Sequence, residues 1–167
     1  MSACTRHCRG ERAYTRPMRN DYRFVSLWRV LASRGAVWEA LERSLVPGPL
    51  TWWPFVSVVQ APDRPRPGAH VALDVRSVFR YRLGIDLTIV EVEAPRRLVA
   101  ESTGDLVGRG SLDVTEDGPG SALTWTWEVE THRPWMRITG PLLRPVFVLA
   151  HTLVMRRGER GFRDTVR

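Results

Sequence analysis

The chain has 167 residues, 43% of them hydrophobic and seven of them Trp, with a formal charge of +7. A chain of that length sustains one hydrophobic core, and a second domain is not expected. Every basic residue is Arg, which excludes Schiff-base and phosphate-loop lysine chemistry, and the longest apolar stretch, Leu142 to Met155, is interrupted by Arg144 and His151 and is too short to span a bilayer.

Residues 1–20 hold five Arg against Glu11. They lack an apolar core for a secretory signal and read as a disordered basic extension, with Met18 the expected natural start and the cytoplasm the expected location. Cys4, His7 and Cys8 offer three ligands where zinc normally takes four, so no metal or other cofactor is expected. Residues 21–167 form the patterned domain. Their Arg and acidic residues nearly balance, with no run that would track phosphates and no aromatic and basic motif for a sheet face, so a nucleic-acid partner is not expected.

Tyr22 to Val30 alternates, with Phe24, Trp28 and Val30 on one face, and predicts a first strand. Ser33 can cap a helix to about Ser44, in which Val37, Leu41 and Leu45 form one apolar stripe. Pro47-Gly48-Pro49 ends it. Trp52, Trp53 and Pro54 lead into a short strand, Phe55 to Gln60, and Ala61 to Gly68 is a loop by composition. His70 to Glu93 is too long for one strand, and a reversal is expected near Ser77 to Arg80. Strands Arg97 to Thr103, Leu106 to Glu116 and Ser121 to Thr131 follow, separated by turns at Gly104-Asp105 and Asp117-Gly118-Pro119-Gly120. The last strand carries Leu123, Trp125, Trp127 and Val129 on one face and polar residues on the other. After Pro134 the period becomes helical. Pro141 to about Arg163 is expected to bury two lines of side chains, Leu142, Val146, Leu149 and Leu153 on one and Val148, His151, Met155 and Phe162 on the other. The absence of βαβ units favours an α+β fold with an antiparallel sheet around one long helix.

With these residues in place, the chain resembles the START-like or SRPBCC superfamily, also labelled polyketide cyclase/dehydrase and lipid transport. The resemblance rests on F-x-S-x-W at Phe24 to Trp28, V-W-x-x-L at Val37 to Leu41, WWP at Trp52 to Pro54, GDLVGRG at Gly104 to Gly110, PWMR at Pro134 to Arg137 and HTLVMRRGERGF at His151 to Phe162. It implies a helix-grip (Bet v 1-like) fold, in which a curved antiparallel sheet of about seven strands grips a long C-terminal helix, with a cavity between them. Similar sequences place Asn before the His, whereas here the residue is Ala150.

The candidate cavity residues are Trp53, Phe55, Tyr81, Gly108, Gly110, Trp125, Trp127, His151, Met155 and Phe162. Glycine within a strand makes room for a neighbouring indole or lets a ligand approach the backbone. Gly108-Arg109-Gly110 is not a dinucleotide fingerprint, since Asp113 stands where a third Gly belongs and no helix follows. His151 precedes Met155 by one turn and is the first candidate for acid–base chemistry, with Arg80 and Asp105 as further polar agents and Arg82, Asp86 and Glu101 near strand ends. No serine elbow, zinc helix or C-x-x-C pair occurs. The expected function is binding or carrying a hydrophobic small molecule such as a lipid, isoprenoid quinone or polyketide. A polyketide cyclase or dehydratase acting on such a ligand is the alternative. Arg144, Arg156, Arg157, Arg160 and Arg163 suit peripheral contact of the last helix with anionic lipid.

Overall fold

In the computed structural model, residues 21–77, 81–131 and 134–167 are described, residues 134–143 by their backbone. The expectations for residues 1–20 and for Arg80 therefore lie outside the described residues. The chain runs β1 (Asp21–Val30), α1 (Arg34–Arg43), β2 (Gly48–Pro49), β3 (Val56–Gln60), β4 (His70–Arg76), β5 (Arg82–Glu93), β6 (Arg97–Gly104), β7 (Leu106–Asp117), β8 (Gly120–Thr131) and α2 (Pro134–Thr165). All strands join one antiparallel sheet in the order β1-β8-β7-β6-β5-β4-β3-β2. The eighth strand, beyond the seven the resemblance implies, is the two-residue β2, which pairs Gly48 and Pro49 with Val58 and Ser57.

Local chemistry sets the boundaries. The Ser33 hydroxyl accepts from the Ala36 N–H at 3.3 Å and starts α1, and the Ser44 hydroxyl donates to Ala40 O at 2.7 Å where it ends. Trp52 Nε1 then donates to Ser44 Oγ at 2.8 Å, which ties the segment after the helix to its last turn. β4 and β5 turn between Arg76 and Arg82, as the excess of β-type residues required. Register shifts at Val58/Gln60 and at Ile89/Glu91 insert bulges into β3 and β5, and such bulges bend a sheet.

Trp28, 1% exposed, sits at the centre of the main core with Val37, Leu123 and Phe162. Its ring meets those of Trp53 at 5.3 Å, Trp125 at 5.1 Å and Phe162 at 6.2 Å. An indole buries on the order of 150 to 250 Å², so this cluster alone contributes several kcal/mol to holding both helices on the sheet.

The last helix begins at Pro134, as the change of period there predicts, and continues unbroken through Pro141 and Pro145. Its buried side is Phe147, Ala150, Val154, Met155, Gly158 and Phe162, whereas Val148 and Leu149 are 43% and 50% exposed. Of the two expected lines, Met155 and Phe162 are buried as expected while Val148 and Leu149 are not, and the true face also includes small residues that hydrophobicity alone overlooks. Trp52 approaches α2 so closely that a Cβ on Gly161 would stand 2.0 Å from Trp52 O, so the helix docks through a notch of glycines.

Candidate functional site: two apolar chambers

Alternation along β4 and β5 places Leu73 opposite Ile85 and Val75 opposite Leu83, all on the side of the sheet that faces the helices. Together with Tyr22 and Phe24 of β1, Trp127 and Val129 of β8, and Phe147, Ala150 and Val154 of α2, they line a first chamber of about 150 Å³. A second chamber, of about 170 Å³, lies beneath α1 and is walled by Trp38, Leu41, Ile89, Leu98, Leu112 and Trp125. Trp125 and Trp127 project from the same face of β8, yet each serves a different chamber.

Trp53, Val56 and Leu73 border both spaces. Trp53 is the largest of the three and is held in place: its Nε1 donates to Val154 O at 2.9 Å. That approach depends on Gly158, where a Cβ would stand 2.6 Å from the same nitrogen. The loop before β3 therefore supplies a partition across what the fold would otherwise leave as one cavity.

Of the residues singled out in the sequence, Trp53, Tyr81, Trp127, His151 and Met155 line the first chamber, and Trp53 and Trp125 line the second. Four others have different places. Phe162 is fully buried and packs edge-on to Trp52 at 4.9 Å. Gly110 makes room for Trp127, whose Cε3 would be 3.3 Å from an added Cβ. Gly108, with φ +154°, admits the backbone of β8, since a Cβ there would be 2.1 Å from Glu128 O. Phe55 is half-buried and accepts from the Arg76 N–H at 2.7 Å through its carbonyl.

Among the polar candidates, Asp105 accepts from the Gly84 N–H at 2.8 Å and shapes the turn between β6 and β7. Arg82 forms an ion pair with Asp74 on the exposed side, and Asp86 and Glu101 are exposed. None of these borders either chamber. His151 does. It stacks on Phe24 at 4.2 Å with 16° between the rings, and its Nε2 is buried with no hydrogen-bond partner among the described residues. Burial lowers its pKa from 6.5 to about 4, so the imidazole is neutral at physiological pH. Burial also raises the pKa of Tyr22 and Tyr81, whose phenols stay protonated. The first chamber is thus walled by apolar and uncharged groups. Among the described residues no group of three or more His, Cys, Asp or Glu side chains gathers, and no helix is long and apolar enough to cross a membrane.

Sequence reasoning overlooked Tyr22, Leu73, Val75, Leu83, Ile85 and Phe147. The alternation of β4 and β5 carried the signal for four of them, and the spacing Phe147, Ala150, Val154, Gly158 carried that for the helix face.

An antiparallel sheet in this order, curved around a C-terminal helix, defines a helix-grip domain of the START-like kind. The chain belongs to the family described as polyketide cyclase / dehydrase and lipid transport, whose sequence pattern matches residues 28–167. Solved structures share the fold at low identity. The protein Ms6760 from Mycobacterium smegmatis is 15% identical with a TM-score of 0.60, over 87% of this chain and 90% of that one. The di-domain ARO/CYC BexL from the BE-7585A biosynthetic pathway is 16% identical with a TM-score of 0.63, and the match covers 89% of this chain and 50% of BexL. An AHSA1-like protein from Aeromonas hydrophila is 13% identical with a TM-score of 0.57, over 87% of this chain and 96% of that one. No curated protein sequence matches the chain.

Proposed function

We propose that the domain binds a small hydrophobic molecule in the space between sheet and helix, one ring-sized unit to each chamber. The observation that carries this reading is the pair of apolar chambers in the core, of about 150 and 170 Å³. An engineered dry cavity of about 150 Å³ lined by Leu, Ile and Phe binds benzene, which sets the scale of the guest.

Binding is favoured over cyclisation or dehydration by the state of His151. A general base works best with a pKa near the working pH, and an imidazole at about 4 is a weak proton acceptor there. The family's description accommodates both activities.

The test is thermal unfolding with toluene, backed by native mass spectrometry of the freshly purified protein. At ten times its dissociation constant, toluene should raise the Tm by about 3 to 5 °C. Ala150→Leu, which fills the first chamber, should lower the stoichiometry by one equivalent. No saturable shift and no retained apolar passenger would reject the reading.

A further inference from the structure

Four walls of the first chamber, Tyr22, Phe24, His151 and Met155, also border a groove on the outside of the molecule. This groove, of about 410 Å³, runs between β1 and α2. β1 ends the sheet order, and among the described residues no further strand covers it. At its Arg29 end the seam is stitched: the Arg29 N–H donates to Glu159 Oε1 at 3.2 Å, and Arg163 Nε donates to Arg29 O at 2.7 Å. Toward Tyr22 it is closed by ring contacts, Phe24 on His151 and Tyr22 edge-on to Phe147. Chamber and groove are therefore separated by one layer of side chains.

The two sides of that layer differ in charge. Inside, the walls are uncharged. Outside, Arg23 is matched by Glu128 at 3.0 Å and Glu159 by Arg163 at 2.7 Å. Arg144 and Arg156 remain. Both are exposed, Arg144 lies over the Tyr22 ring at 5.5 Å, and neither has a carboxylate partner among the described residues. At about 1.5 Å per residue they flank His151 on either side along α2. The buried Nε2 of His151, without a hydrogen-bond partner among the described residues, sits in the dividing layer itself.

We propose that the first chamber takes the apolar tail of an anionic amphiphile, a medium-chain carboxylate, whose head stays in the β1–α2 groove with Arg144 or Arg156. The inference rests on the binding reading above and adds the ligand's charge and orientation. An ionised head inside the apolar chamber would lose its hydration without a counter-charge, whereas in the groove it keeps water and gains a guanidinium. The tail passes where the Phe24 and His151 rings part.

Isothermal titration with octanoate and 1-octanol, which share one alkyl chain, tests this on the wild-type chain and on Arg144→Gln/Arg156→Gln, both exposed positions. Octanoate should bind about tenfold more tightly than octanol, the size expected of one charge-assisted hydrogen bond. The double variant should bring the two within about twofold and leave octanol binding unchanged. Equal affinities in the wild type, or a preference that survives in the double variant, would overturn the proposal while leaving the cavity reading intact. Failure of both ligands would overturn both. Salt-sensitive sedimentation with phosphatidylglycerol vesicles and no octanoate binding would assign the two Arg to a lipid surface and likewise overturn it.

Discussion

Replacing His151 by Leu should change how stability responds to acid. The fold holds the imidazole neutral, with a pKa of about 4 against 6.5 for the free side chain. As pH falls below 6.5 the unfolded chain takes up this proton first, so the native state loses relative stability until the buried ring also protonates near pH 4. From these two values the penalty is negligible at pH 7.5, about 1.4 kcal/mol at pH 5.5 and about 2.5 kcal/mol at pH 4.5. Leu carries no proton, and its contact with Phe24 remains apolar. Urea unfolding of both proteins at the three pH values isolates the effect, because every other titrating group is common to the pair and cancels in the double difference. The wild type should lose more stability than the variant by the amounts above. Parallel pH profiles, within about 0.5 kcal/mol, would show that the native site accommodates the charged ring and would refute the argument from burial.

Gly158→Ala places a methyl 2.6 Å from Trp53 Nε1 and 3.0 Å from Trp28 Cη2. It should cost about 1 to 3 kcal/mol in chemical unfolding and shift the tryptophan fluorescence, since the partition must move. Gly35→Ala is the opposite case: nothing lies within 4 Å of the added Cβ in the first turn of α1, so urea midpoints should rise by the equivalent of about 0.5 kcal/mol.

The frame of the molecule was legible because it rests on local rules. Ser33 and Ser44 bracket α1 as their hydroxyl chemistry suggests, Gly118-Pro119 joins β7 to β8, and the surplus of β-type residues after His70 forced a reversal where one occurs. The helix face was only partly legible, because α2 approaches the Trp52–Trp53 segment through Gly158 and Gly161. Close approach leaves no mark in hydrophobicity. The candidate site was legible residue by residue and not as a shape. That Trp53 and Trp127 share a chamber, that Trp125 belongs to another, and that Phe162 belongs to the solid core depend on contacts between elements far apart in the chain. Gly108 was ambiguous for the same reason, since the backbone that crowds it belongs to β8.

From β2 to β8 each strand pairs with its neighbour in the sequence, a zigzag that can zip up through short loops. β1 does not follow this pattern: Val30 must find Ser121 and Asp21 must find Glu130, across all the strands between them. Closing so long a loop carries the largest chain-entropy cost in the sheet, and long-range pairings of this kind slow folding. Tyr22 and Phe24, the outer wall of the first chamber, arrive only with that closure. Without β1 the chamber is an open trough, and the pairing that spans the longest loop is the one that gives the fold an inside.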